Sequence, residues 1–367
     1  MTHTKDATML SSWSLPMLLA FFAGAASIIW YAGIKLFDTT DVLATRLGLG
    51  EALGGLILLA IATNLPEIAI TVSAAWRGNL SIAIGNLLGG IGVQTLVLVA
   101  LDAFSGRGRR PLTYRAASLS LALEGTLVVA VLILAIMASR LPESLIVAHV
   151  APGGLAIALV WMLGIWLIGR SRSDLPWHAG NSAAEAQSRP QGHSRTRKSQ
   201  EAGVKGVTTV RAATLFMLAA LATLVCGVAL EISGDAIADR IGMSGVLFGA
   251  TVLAAATSLP ELSTGLASMR LGDDKLAISD IFGGNAFLPV LFLVATVISG
   301  RPALPQAQDT DVYLAGLGVL LTCAYIAGLI FRPQRRVLGM GIDSLAVLIL
   351  YAIGIAGLFA IALAPGP

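Results

Sequence analysis

A short motif occurs twice in this chain, 194 residues apart, and each copy lies within a long apolar run. The first copy reads AIATNLPEIAI and contains Glu67, and the second reads AAATSLPELST and contains Glu261. A carboxylate at the centre of a bilayer costs about 2.5–3.5 kcal/mol, and a proline removes a helix hydrogen bond where no water can replace it. The doubled motif therefore predicts an ion site built from two interrupted membrane helices.

The residues around the two motifs indicate the class of protein. Hydrophobic residues make up 56% of the chain and charged residues only 12%, whereas a water-soluble domain carries about 25% charged residues. We therefore predict an all-α polytopic membrane protein. Ten apolar stretches are long enough to cross a bilayer, namely 14–34, 52–76, 80–104, 114–138, 146–169, 211–231, 245–270, 275–299, 311–332 and 341–364.

The distribution of basic residues predicts the orientation in the membrane. If the N-terminus lies outside, 19 of the 24 lysines and arginines fall in inward-facing segments, as the positive-inside rule requires. We expect both termini on the outer side of a prokaryotic inner membrane, with 170–210 as a basic cytoplasmic linker. The net charge of +3 comes from these loops, so the bilayer is the expected partner and nucleic acid is not. The oligomeric state is left open.

The two motifs belong to an internal repeat. A shift of 194 residues aligns them without a gap and also aligns Gly89-Gly90 with Gly283-Gly284. The first motif lies in the second span and the other in the seventh, so the two copies cross the membrane in opposite directions. This pattern is typical of transporters whose binding site lies between inverted repeats. We predict repeats at 1–169 and 211–367, joined by the linker.

Each motif supplies oxygen ligands of the kind that bind hard cations. Thr63 and Thr257 precede the glutamates by four residues, so each threonine shares a helix face with its glutamate. The prolines free the carbonyls of Ala62 and Ala256. Calcium takes six to eight such oxygens, and broken helices commonly coordinate sodium. No histidine lies near a motif, which argues against zinc.

The spans that follow the motifs carry further polar residues. The relevant segments read IAIGNLLGGIGVQT and LAISDIFGGNAFLP. Asn86, Gln94 and Asn285 could support the ligands or simply bond a neighbouring helix. Asp280 is more informative, because an unpaired acid in a membrane is costly. We expect it to serve the ion site or to carry protons.

These residues together resemble the paired alpha repeats of the calcium/cation antiporter superfamily, of the sodium/calcium exchanger type. That family shows G-T-S-x-P-E in one helix and G-N-x-x-G-S-N in the next, in both halves. The resemblance covers nearly the whole chain and implies that Glu67 and Glu261 bind calcium and share sodium sites. It implies that the surrounding cation ligands are Thr63, Thr257, Asn64 and Ser258.

The chain departs from the family pattern at several ligand positions. Asn64 replaces a serine of the first motif, and Gly90 and Gly284 replace the later serines. Leu288 stands where the family has a polar or acidic residue, whereas Asp280 replaces an asparagine. Hydroxyl ligands of the peripheral sodium sites are therefore missing, while the glutamate pair is kept.

The leading hypothesis is a secondary cation antiporter that exchanges Ca²⁺ for Na⁺, with inorganic cations as cargo and no resident cofactor. Two alternatives stay open, a proton-coupled exchanger that uses Asp280 and a non-transporting protein that binds an ion for structure or sensing. An enzyme is the least favoured class, because no nucleophile, histidine or metal cluster accompanies the acid pair.

Overall fold

The computed structural model describes residues 13–46, 55–106, 109–171 and 208–363, and within these ranges the chain is mostly helical. The α-helices are α1 (Leu15–Arg46), α2 (Gly55–Thr63), α3 (Leu65–Arg77), α4 (Leu80–Phe104), α5 (Leu112–Ala116), α6 (Leu119–Ala138), α7 (Pro152–Ser171), α8 (Thr209–Ile241), α9 (Gly245–Phe248), α10 (Ala254–Thr257), α11 (Leu259–Arg270), α12 (Asp274–Phe287), α13 (Leu291–Ser299), α14 (Asp309–Phe331) and α15 (Ile342–Leu363).

Shorter elements join these helices. Single 3₁₀ turns occur at Glu143–Leu145, Leu288–Val290 and Leu304–Gln306, and a π turn at Gly249–Leu253 links α9 to α10. A small antiparallel hairpin, β1 (Arg336–Val337) and β2 (Met340–Gly341), connects α14 to α15. Most of the predicted linker, residues 172–207, lies outside the described residues, so that prediction stays untested.

In the described part of the chain, the helices are arranged as two inverted five-helix repeats, which confirms the predicted fold. Within the described residues, nine helical stretches are long and apolar enough to cross a membrane. The broken pair α2–α3 supplies the remaining span. The first repeat contains α1, α2–α3, α4, α6 and α7, and the second contains α8, α9–α11, α12–α13, α14 and α15.

The first helix of each repeat is longer than the sequence predicted. The spans 14–34 and 211–231 were expected to be about 20 residues long, but α1 has 32 residues and α8 has 33. In α1 the hydroxyls of Thr39 and Thr40 are satisfied locally, since they donate to carbonyls three or four residues earlier. Glu231 lies within α8 and is fully buried.

Two sets of charged contacts define the opposite faces of the bundle. At one end, Arg115 donates to both carboxylate oxygens of Asp274 at 2.6 Å, and we call this the Asp274 face. At the other end, Arg77 donates to Glu231 at 3.1 Å, and we call this the Arg77 face. The helix α4 runs between the two faces and is buried along nearly its whole length.

The apolar core is divided between two groups of helices. The largest cluster of buried residues joins α4, α6, α12 and α14. A separate cluster lies where α1 and α8 pack against α3 and the α9–α10 region. The long helices α1 and α8 also pack against each other. The bundle that carries the motifs therefore has its own core, distinct from the contact with the α1–α8 pair.

Glycines let α4 approach the second motif helix closely. A methyl group at Gly89 would overlap the backbone of Ala250, and one at Gly85 would lie 2.8 Å from the carbonyl oxygen of Val246. From the other side, a methyl group at Gly249 would lie 3.0 Å from the backbone nitrogen of Asn86. These contacts hold α4 of the first repeat against the π turn of the second.

Candidate functional site

Each motif forms a helix that is interrupted for one residue. In the first copy α2 ends at Thr63, Asn64 has non-helical angles of φ −85° and ψ 12°, and α3 begins at Leu65. In the second copy Ser258 takes the same place, with φ −81° and ψ 4°. The proline then occupies the first turn of the following helix, where its missing N–H costs nothing.

This interruption places each glutamate in the first turn of a helix. Glu67 lies in the first turn of α3 and Glu261 in that of α11. Free backbone N–H groups at a helix N-terminus favour a negative charge. Both side chains are fully buried. The repeat therefore delivers two carboxylates, from opposite directions, into the interior of the bundle.

The two carboxylates meet at one side chain, that of Gln94. Its amide nitrogen lies 3.3 Å from the Glu67 Oε1 atom and 3.3 Å from the Glu261 Oε1 atom. The two oxygens are therefore separated by at most twice that distance. The second oxygen of each carboxylate has no hydrogen-bond partner. The sequence predicted only that Gln94 could support the ligands, and the structure places it between both of them.

The motif threonines complete a crossed arrangement. Thr63 of the first motif lies near the carboxylate of Glu261, and Thr257 of the second lies near that of Glu67. Each threonine also lies near a carbonyl of its own helix, at 3.3 Å from Ala60 and 3.2 Å from Ala254. The structure thus brings together the four residues that the motif predicted.

Asn64 and Ser258 lie beside the same cluster and are turned toward their own helices. The Asn64 amide donates to the Ala60 carbonyl at 2.6 Å, and the Ser258 hydroxyl donates to that of Ala254 at 2.8 Å. Ala62 and Ala256, whose carbonyls lack the usual proline N–H partner, are also buried. All eight predicted cation-binding residues therefore lie in the interior around the two motifs.

Asn86 of α4 and Asn285 of α12 differ in their hydrogen bonds. Asn285 donates to Thr95 at 3.2 Å and to the Ile91 carbonyl at 3.4 Å. Ile91 is the repeat equivalent of Asn285, so this contact lies on the pseudo-two-fold axis and joins the repeats. Asn86 is fully buried, and neither its amide oxygen nor its amide nitrogen has a hydrogen-bond partner.

Two polar contacts near this region involve residues that the sequence did not single out as partners. Thr264 donates to Asp280 at 2.7 Å, and Ser279 donates to Glu124 at 2.6 Å. The spacing of Thr264, three residues after Glu261, could have indicated a shared helix face. The pairing of Ser279 with Glu124 joins α12 to α6 and has no local sequence signal.

Among the described residues, no basic side chain forms an ion pair with either glutamate. In this part of the chain, the ion pairs of lysine and arginine join acids other than Glu67 and Glu261. The described residues also contain no group of three or more histidine, cysteine or acidic side chains placed to hold a metal. A cation at Glu67 and Glu261 would therefore take its other ligands from hydroxyl, amide and carbonyl oxygens.

Comparison with known proteins agrees with this arrangement. The family model described as sodium/calcium exchanger protein matches residues 17–169 and 211–363. The chain belongs to the sodium/calcium exchanger protein family. The two matched ranges contain one motif each, so the resemblance inferred from the repeats is confirmed. The protein is accordingly a multi-pass membrane protein of a family of cation antiporters.

Similar proteins include two from bacteria. The putative antiporter CaxA of Alkalimonas amylolytica is 29% identical over 318 residues, which cover 85% of this chain and 91% of CaxA. The inner membrane protein YrbG of Escherichia coli strain K12 is 25% identical and aligns with 87% of this chain and 90% of its own length. The sodium-calcium exchanger NCX_Mj has a similar fold, with a TM-score of 0.59 at 17% identity over 93% of this chain and 98% of its own.

Proposed function

We propose that this exchanger transports Ca²⁺ in exchange for Na⁺ through a site between Glu67 and Glu261. The observation that carries the proposal is the convergence of both carboxylates on Gln94, at 3.3 Å each. The two acids provide a charge of −2, which matches one divalent cation or two monovalent ones. The unpartnered second carboxylate oxygens and the motif threonines supply further hard oxygens.

The electrostatics of the pair support obligatory exchange. Two unit charges separated by the distance that Gln94 allows repel each other by about 2–3 kcal/mol at an effective dielectric constant of about 20. No basic side chain relieves this repulsion within the described residues. A form of the site without a cation is therefore costly, and reorientation favours forms that carry either Ca²⁺ or Na⁺.

The packing supports a route for alternating access. The long helices α1 and α8 pack on each other and share a cluster with α3 that is separate from the main core. In our proposal this pair slides against the motif bundle and exposes the site to each side in turn. We propose that the Asp274 face is cytoplasmic, because the basic segments between spans cluster there, and that both termini lie outside.

Flux measurements in proteoliposomes test this function. Three sets of vesicles are diluted into radiolabelled Ca²⁺. The first is loaded with Na⁺, the second with K⁺, and the third with K⁺ at a pH lower inside than outside. We expect uptake in the Na⁺-loaded vesicles and none in the Na⁺-loaded vesicles that carry the Glu67→Gln/Glu261→Gln variant. The matched control is Asp309→Asn, since the Asp309 side chain is 86% exposed, and its uptake should equal that of the unmodified protein.

The other outcomes overturn the proposal in different ways. Uptake driven by the pH gradient alone would replace Na⁺ with H⁺ as the coupling ion. An absence of Ca²⁺ flux under every gradient, in protein that elutes as a single folded species, would refute Ca²⁺ transport.

A further inference from the structure

Asp280 is a third buried acid near the glutamate pair that the proposed calcium site does not use. Its side chain is 2% exposed, and within the described residues it forms no ion pair. One carboxylate oxygen accepts a hydrogen bond from Thr264 at 2.7 Å, while the other is buried with no hydrogen-bond partner. An uncompensated charge in a membrane interior is costly, so the charged form of this acid needs a positive ligand.

The groups around Asp280 are oxygen atoms suited to a small cation. The Thr264 hydroxyl lies 3.1 Å from the carbonyl oxygen of Glu261 as well as 2.7 Å from Asp280. Thr63, whose hydroxyl donates to the Ala60 carbonyl at 3.3 Å, lies near the carboxylates of both Asp280 and Glu261. A carboxylate, two hydroxyls and a backbone carbonyl thus lie together. With a single carboxylate of its own, this group matches a monovalent cation better than a divalent one.

The first repeat lacks this group of ligands. The shift of 194 residues that relates the repeats places Asn86 at the position of Asp280 and Ile70 at that of Thr264. Both positions are buried, so the difference is chemical: the first repeat has a neutral amide and an aliphatic side chain. Because the repeats are inverted, ligands present in only one of them lie toward only one face of the membrane.

The helix positions show which face this is. Asp280 lies six residues, or about 9 Å, from the start of α12, and Glu261 lies nine residues, or about 14 Å, from the end of α11. Both of these helix ends flank the turn at 271–273, next to the contact between Arg115 and Asp274. Asp280 is therefore about one helical turn nearer to the Asp274 face than the glutamate pair.

We propose that Asp280, Thr264 and Thr63 form a second cation subsite, specific for Na⁺, on the Asp274 side of the glutamate pair. This proposal rests on the proposed Ca²⁺/Na⁺ exchange and names the site of a coupling ion. Na⁺ bound at Asp280 shares Thr63 with Glu261, so its charge acts directly on the calcium site. Occupancy of the subsite then favours release of Ca²⁺ from Glu261.

The test separates sodium binding from calcium binding. Asp280→Asn keeps the shape of the side chain and an acceptor for Thr264 but removes the charge. Two fluxes are measured in proteoliposomes: Ca²⁺ uptake against internal Na⁺ of varied concentration, and Ca²⁺/Ca²⁺ self-exchange without Na⁺. We expect the variant to raise the half-maximal Na⁺ concentration by about tenfold and to lower the steepness of the Na⁺ dependence, while self-exchange is retained. Asp309→Asn, the same change at an exposed acid, should change neither flux.

Na⁺-dependent thermal stabilisation of the detergent-solubilised protein, in Ca²⁺-free buffer, provides a measurement that does not need transport. Na⁺ should raise the unfolding temperature of the unmodified protein, and the Asp280→Asn variant should need about tenfold more Na⁺ for the same rise. Thr264→Val, which removes only the hydroxyl, should shift the Na⁺ dependence in the same direction.

Three results would overturn the subsite. The first is an unchanged Na⁺ dependence in Asp280→Asn, and the second is a parallel loss of Na⁺-driven uptake and self-exchange at an unchanged half-maximal Na⁺ concentration. The third is Na⁺ stabilisation that does not distinguish the variant from the unmodified protein. An absence of Ca²⁺ self-exchange in the unmodified protein would instead refute the proposed function, and the stabilisation measurement would still decide the subsite.

Discussion

Gly284 and Asn64 occupy neighbouring positions in the site, and the Asn64 side chain limits the size of the residue at position 284. A methyl group at Gly284 would lie 2.7 Å from the Asn64 amide nitrogen and 3.4 Å from the Gln94 amide oxygen. The Asn64 amide cannot move freely, because it is fully buried and donates to the Ala60 carbonyl at 2.6 Å. At the repeat-equivalent position, Gly90, the nearest atom to an added methyl group would be a Leu288 methyl at 3.7 Å.

These distances give opposite expectations for two equivalent substitutions. Gly284→Ala overfills a packed interior, which costs about 1–3 kcal/mol. Gly90→Ala meets only an ordinary van der Waals contact and gains up to about 1 kcal/mol of helix propensity. We therefore expect Gly284→Ala to be less stable than Gly90→Ala by about 1–4 kcal/mol.

Thermal unfolding in detergent, in the presence of a Ca²⁺ chelator, measures this difference without reference to transport. Asn64→Ser removes the obstructing amide, so the double variant Asn64→Ser/Gly284→Ala should be more stable than the two single changes predict, by about 1–2 kcal/mol. The same Asn64→Ser change should not rescue any cost of Gly90→Ala. Equal stability of the two glycine variants, or additive effects in the double variant, would refute this reasoning.

Three further predictions follow from the contacts of single side chains. Gln94→Leu removes the amide that both glutamates share and leaves Glu67 and Glu261 intact. It should lower the apparent affinity for Ca²⁺, measured in Ca²⁺/Ca²⁺ self-exchange, by about tenfold or more. Arg77→Met leaves the buried Glu231 carboxylate without its partner, so it should destabilise the protein by about 3 kcal/mol and by more than Glu231→Gln does, as measured by thermal unfolding. Asp102→Ala removes the acceptor for three hydrogen bonds, from Leu112, Gly341 and Ser344 at 2.6–2.9 Å, and should lower the unfolding temperature by an amount equivalent to about 2–4 kcal/mol.

The sequence predicted the fold because the membrane restricts the possible structures so strongly. Apolar stretches of about 20 residues can only be helices, and the odd offset of five spans, from the second to the seventh, requires inversion. The sequence did not predict the full lengths of α1 and α8. Charged residues usually mark the end of a span, but Glu231 continues the helix because Arg77 of another helix compensates its charge.

The sequence predicted the site residues that occur in both repeats. It did not predict the contacts that form only when different helices pack together. Glu67 and Glu261 were evident from the doubled motif, and the structure brings both of them to Gln94. The contact between Asp280 and Thr264 joins residues of consecutive helices, and only the packing of α11 on α12 shows it. The replacement of serine by Gly284 looked like the loss of a ligand, whereas the structure shows that the larger Asn64 fills that space.

The central claim is that two glutamates from inverted motifs form one divalent-cation site, and calorimetric titration of the purified protein with Ca²⁺ in Na⁺-free buffer tests it most directly. We expect one Ca²⁺ to bind per chain of the unmodified protein. We also expect no saturable binding for Glu67→Gln/Glu261→Gln and strongly weakened binding for either single variant. Unchanged Ca²⁺ binding in the double variant, or two independent sites of which each single variant removes one, would contradict the account.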